Sequence, residues 1–127
     1  MDVCETMDNI ISLNELTRTF FSRKYEYIVP EEPIRGRSGH KWSFDGMINY
    51  KGSGDESLKI GVFVREWNRS VGVNQVRQLE KACRDTKCDG GIIVADIFSS
   101  NAEIFAENLG ITTVDRAKIM SKMQSGL

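Results

Sequence analysis

Gly90-Gly91 precedes Ile92-Ile93-Val94-Ala95, a short, continuous apolar run. It lacks the apolar–polar alternation of a strand with one wet face, so it suits a strand buried on both faces. Such a strand needs a layer on each side of its sheet, and the rest of the chain supplies helices for that purpose. Ser12-x-x-Glu15 reads as a capping box that opens a helix to about Lys24, with Leu13, Leu16 and Phe20 as its buried stripe. Asp8 is an alternative cap for a slightly longer helix. Val73, Val76, Leu79 and Cys83 recur at helical spacing after a loop over Asn68 to Gly72, in a helix that runs to about Thr86. Ser100-x-x-Glu103 is a second capping box, and Gly110 suits the C-cap of a helix ending at Leu109.

Strand patterns lie between and around these helices. Tyr25 to Val29 is a short strand closed by Pro30. Glu31 to Lys41 reads as a loop broken by Pro33, Gly36 and Gly39. Trp42 to Tyr50 alternates, with Trp42, Phe44, Gly46, Ile48 and Tyr50 on one face and Asp45, Met47 and Asn49 on the other. The turn Lys51 to Ser57 joins it to a strand over Leu58 to Arg65, which predicts an antiparallel hairpin. Ile111 to Val114 is a last short strand, and residues 116–127 read as a short helix or a frayed tail. Strands joined through helices to further strands imply an α/β fold, a mixed central sheet sandwiched by helices, in one domain over residues 1–127.

Composition narrows the function classes. Hydrophobic content of 40% and charged content of 28% are ordinary for a soluble globular protein, and no run reaches the length of a membrane span. The first residues lack a basic stretch followed by an apolar one, so a cytoplasmic protein with no membrane partner is expected. Cys4, Cys83 and Cys88 show no CxxC or Cys/His ligand spacing, which argues against zinc and for reduced thiols. The formal net charge of -1 gives no sequence-blind attraction to nucleic acid, so such binding rests on a local basic patch.

One such patch is the segment with Arg35, Arg37, His40 and Lys41, directly ahead of Phe44-Asp45-Gly46. Gly36-Arg37-Ser38-Gly39-His40, followed by Phe44-Asp45-Gly46, resembles the first-acid region of type IV restriction endonuclease (Mrr-like) proteins of the PD-(D/E)xK nuclease superfamily. Val64-Arg65-Glu66-Trp67-Asn68-Arg69-Ser70-Val71-Gly72-Val73 is similar to their second-strand exit. Gly90 to Ala95 with Phe98-Ser99 and Ala102, then Ala106 to Ile111, resembles their closing strand, helix and strand. The resemblance runs nearly end to end and implies a restriction-endonuclease-like fold, DNA as partner and possible homodimers.

In that family two or three carboxylates hold Mg²⁺, which polarises the scissile phosphate and activates water, while a lysine orients that water or offsets charge. By resemblance, Asp45 matches the first acid and metal ligand, Phe63 stands at the second-acid position and Arg65 at the lysine position. Arginine grips phosphate but cannot act as a base near neutral pH, and phenylalanine ligates nothing. Strand alternation turns Glu66 away from Phe63 and Arg65 unless a bulge re-aims it. Glu15 matches a helix glutamate that some members place near the metal, and Gln75 matches a glutamine facing the site.

Each of these residues has an ordinary reading as well. Asp45 and Arg65 can simply pair, His40 can fix its loop, Gln75 can be a solvated helix position, and Trp67 can anchor packing rather than stack on a base. The sequence therefore yields three expectations. The first is an Mrr-like DNA-binding protein with a decayed metal site, contacting DNA through Arg65, Arg69 and the Arg35 to Lys41 segment. The second is an active Mg²⁺-dependent endonuclease using Asp45, Arg65 and a relocated acid, Glu15 or Glu66. The third is an interaction or assembly module.

Overall fold

The computed structural model describes residues 11–51, 54 and 56–124. Cys4 and the alternative cap Asp8 lie outside the described residues, as do parts of the turn after Lys51 and the last three positions of the tail.

Helix α1 (Leu13–Ser22) begins as the capping box requires: the Ser12 side chain accepts from the Glu15 N–H. Its buried face is Leu13, Leu16, Thr17 and Phe21, with Phe20 only partly covered. Thr17 is tolerated there because its hydroxyl donates to the Leu13 carbonyl at 2.7 Å. Strand β1 (Glu26–Ile28) follows. The segment expected to be a loop contains two short strands, β2 (Ile34–Arg35) and β3 (Lys41–Trp42), which pair antiparallel around the Gly36–Gly39 turn. They form their own two-stranded sheet.

The hairpin is β4 (Gly46–Lys51) against β5 (Ser57–Arg65), in antiparallel register from Gly46↔Val62 to Lys51↔Ser57. Helix α2 (Val73–Asp85) leads to β6 (Gly90–Ala95), and α3 (Ser100–Leu109) leads to β7 (Ile111–Asp115). Strands β5, β6 and β7 run parallel, and the sheet order is β1-β4-β5-β6-β7. The α3 cap is Ser99 rather than Ser100, because Ser99 is fixed by donating to Val71 O beside the Val71↔Phe98 bridge. Gly110 closes that helix at φ +74, the left-handed conformation that glycine adopts without strain. Residues 116–124 form a packed helix, α4 (Arg116–Gln124), whose Ile119 is fully buried. No helix among the described residues is long and apolar enough to cross a membrane.

Residue parity divides the sheet. Odd positions Met47, Phe63, Ile93, Ala95 and Ile111 meet Val76, Leu79 and Cys83 of α2 and Ala102 and Ala106 of α3. Even positions Ile48, Val62, Val64, Val94 and Val114 meet Leu13, Leu16 and Phe21 of α1 and Ile119 of α4. The β6 run is thus covered on both faces, as its composition demands. Phe44 departs from the expected alternation and joins the odd-face cluster with Met47. It precedes β4, so no ladder fixes its side, and its ring occupies the space over Gly61, where an added Cβ would lie 2.5 Å from it. The architecture is a mixed five-stranded sheet between two helical layers, an α/β/α sandwich.

Candidate functional site at the strand ends

Ladder geometry places Asp45. Strand β4 starts at Gly46 opposite Val62, whereas β5 continues to Arg65. The Asp45 N–H donates to Val62 O at 3.0 Å, and its Oδ2 accepts from the Val64 N–H at 2.8 Å. The carboxylate therefore takes the place of a β4 carbonyl and satisfies a backbone donor beyond the strand. The same Oδ2 accepts from Arg65 Nη1 at 3.0 Å. Arg65 also donates from Nε to Gln75 Oε1 at 2.8 Å and from Nη1 to Val64 O at 3.1 Å. Its guanidinium carbon stands 4.4 Å from the centroid of Phe63, a cation–π contact from a buried ring. Asp45, Arg65 and Gln75 are thus joined in one hydrogen-bonded chain over Phe63.

The other two carboxylates named from the sequence lie elsewhere. Glu66 points to the opposite face: its Oε1 accepts from the Leu13 N–H at the start of α1, and its Oε2 pairs with Arg116 Nη2 at 2.9 Å. No bulge re-aims it, since β5 stays in register with β6 through Arg65↔Ala95. Glu15 is exposed in the first turn of α1, and among the described residues no bond joins it to Asp45, Arg65 or Gln75. No group of three His, Cys, Asp or Glu side chains with metal-ligating arrangement occurs among the described residues. Among the described residues, those around Asp45 do not supply a Mg²⁺ ligand set: Phe63 offers no oxygen, Oδ2 of Asp45 already accepts two bonds, and the Arg65 guanidinium occupies its flank.

The basic segment is held at one point. Asp85, the last residue of α2, accepts from the Ser38 N–H at 2.9 Å, the Ser38 hydroxyl at 2.7 Å and Trp42 Nε1 at 2.9 Å. Its backbone carbonyl accepts from the Arg37 N–H. The Trp42 and Ser38 donors, with the nearby His40, hold the Asp85 carboxyl below its ordinary pKa. Arg35, Arg37 and Lys41 are exposed, and the His40 ring lies 4.3 Å from that of Trp42. Arg69 is exposed with its guanidinium 4.5 Å over Trp67, which packs against the odd-face core.

Two neighbours of the site were not singled out from the sequence. Asp85 is one, since a lone acid at a helix end gives no sign of the loop that it holds. Tyr27 is the other: its hydroxyl fills the space beside Gly46, where an added Cβ would come within 2.0 Å of the oxygen. Its ring stacks on Phe21 at 6.3 Å. Burial, reinforced by the charge of Asp45, pushes its phenol up to about 12. The glycine after Asp45 was the available signal, because a close approach is a standing reason for glycine in a strand.

The Mrr_cat restriction endonuclease model matches residues 14–123. The chain belongs to this family of Mrr-like PD-(D/E)xK nucleases. Among solved structures, the fold is similar to the protein of unknown function AF1548, at TM-score 0.72 and 11% identity over 87% of this chain and 65% of that one. It is similar to the DNA modification-dependent restriction endonuclease AspBHI at TM-score 0.62 and 16% identity, over 89% of this chain and 29% of that one. A repair endonuclease from Pyrococcus abyssi aligns at TM-score 0.60 and 19% identity, over 91% and 47%. The chain thus spans less than two thirds of the length of each of these proteins, and at such identities the likeness is one of fold. No curated protein matches the chain.

Proposed function

We propose that this chain is a DNA-binding member of the Mrr-like family whose metal site has decayed, so that it grips the phosphate backbone with little or no hydrolysis. The observation that carries this reading is the Arg65 guanidinium, bonded to Asp45 Oδ2 at 3.0 Å and lying over Phe63. The cluster is neutral without a divalent ion, so nothing in its charge calls for one. Arg65 Nη2 takes no part in the bonds to Asp45, Gln75 and Val64, which leaves an N–H pair suited to a phosphate oxygen. The carboxyl ends of the parallel strands, where Arg65 stands, are also where open α/β sheets bind ligands. Arg69 and the Arg35 to Lys41 segment supply further exposed cations. Homodimerisation is an expectation from the family.

The test is DNA binding by fluorescence anisotropy across a salt series, alongside plasmid cleavage with Mg²⁺ or Mn²⁺. Salt-sensitive binding without cleavage is expected, and Arg37→Ala or Arg69→Ala should each lower the salt slope by about 1. Robust cleavage abolished by Asp45→Asn would show a working metal site and defeat the decayed-site reading. Absence of salt-sensitive binding at low ionic strength would point instead to an assembly module.

A further inference from the structure

The turn that ends α2 places two free thiols together. The Cys88 N–H donates to the Cys83 carbonyl at 2.8 Å, and the Lys87 N–H donates to Arg84 O at 3.4 Å. Lys87 adopts φ +62, the only positive φ among the described residues other than glycine. This is the Schellman pattern, in which the residue just past the helix folds back against one in its last turn. Here the two residues that meet are both cysteines, and each thiol perturbs the charge of the other, while the Cys83 thiol donates to the Gly90 carbonyl at 3.5 Å. Cys83 is buried over the paired glycines Gly61 and Gly91, where added Cβ atoms would lie 3.2 and 3.1 Å from its sulfur. Cys88 is partly exposed, with the Thr86 hydroxyl 3.3 Å from its sulfur.

We infer that Cys83 and Cys88 form a dithiol site that low-molecular-weight disulfides such as glutathione disulfide oxidise to an intramolecular bond, stapling the α2–β6 turn. The bond from the Cys88 N–H to the Cys83 carbonyl holds the two residues against each other across a fixed turn, the juxtaposition that a short-range disulfide needs. Cys88 is the entry point. It is the more exposed thiol, and the neighbouring Cys83 thiol, helped by Thr86 and Lys59 against burial and Asp89, holds it below its ordinary pKa. The same pairing, with burial, raises Cys83. In the first step the Cys88 thiolate attacks glutathione disulfide, forms a mixed disulfide and expels one glutathione thiolate. In the second, Cys83 gives its proton to solvent, attacks the Cys88 sulfur and expels the other. The protein loses two hydrogens, and the oxidant becomes two glutathiones.

The closed ring would enclose Asp85, whose carbonyl and carboxylate hold Arg37, Ser38 and Trp42. Oxidation should therefore steady the basic segment as well as the helix end. None of this chemistry depends on nucleic acid binding.

The experiment uses the whole folded chain carrying Cys4→Ser, equilibrated with glutathione disulfide, alkylated and analysed by intact mass and peptide mapping. The expected result is loss of two hydrogens, no retained glutathione and a linked Cys83–Cys88 peptide. Amide exchange at Arg37 and Ser38 should be slower in the oxidised protein. Cys88→Ser should leave Cys83 unmodified in the folded state. Retention of glutathione on Cys88 without release of the second equivalent would overturn the inference. So would two fully alkylatable thiols at saturating oxidant, or Cys83 reacting in Cys88→Ser as fast as in the parent.

Discussion

Arg65 and Arg116 stand at the carboxyl ends of two parallel strands that flank β6, on opposite faces of one sheet. Arg116 is bonded to Asp96, to Glu66 at 2.9 Å and to the Ile11 carbonyl at 3.2 Å. Burial works against its charge, but the two carboxylates outweigh that and hold its pKa above the ordinary value. It clamps the start of α1, the exit of β5, the exit of β6 and the start of α4. Arg65 meets one carboxylate, one amide and one aromatic face. Glu66 and Asp96, which follow β5 and β6, are committed to the clamp on the other face, and Asp45 is left with a single cation.

Three changes would break or sharpen that contrast. Phe63→Ala should have the largest effect, a loss of about 3–5 kcal/mol by chemical denaturation, because Phe63 is only 3% exposed and is the floor under Arg65. Arg116→Met should cost about 1–2 kcal/mol, below the figure for a fully buried pair because its partners reach solvent, and should leave the salt slope of DNA binding unchanged. Arg65→Met should cost under about 1 kcal/mol yet lower that slope by about 1. If the two arginine variants lose equal stability and equal binding, the division into clamp and contact is wrong.

The smallest effect is one of pH. Tyr27 has a folded pKa of about 12, raised from an ordinary 10, so its contribution to stability is full below pH 10 and is lost as pH rises toward 12. The stability difference between the parent and Tyr27→Phe, followed by denaturation at a series of alkaline pH values, should shrink through that window. A difference constant across it would mean that the phenol is not held protonated by burial beside Asp45.

Much of the fold was legible because it depends on local signals. The Ser12 cap, the Gly110 C-cap, the α2 stripe and the β6 run each act through neighbours close in sequence, and each element formed within a residue or two of its expected bounds. The β2–β3 pair is not legible in the sequence because two-residue strands carry no periodicity, and their position depends on Asp85, 47 residues from Ser38 in the chain. Alternation fails at Phe44 because the β4–β5 ladder begins only at Gly46.

By itself the sequence determined that helices must cover both faces of a mixed sheet, and that no acid and no lysine follow in the Phe63-Val64-Arg65 triplet. Those are properties of residue type and spacing. Only the tertiary structure decided what became of the carboxylates around that triplet. Asp45 completes the ladder and pairs with Arg65, Glu66 caps α1 through the opposite face, and Asp85 holds the basic loop. A carboxylate's role depends on which donors stand within about 3 Å of it, and here most of those donors come from distant parts of the chain.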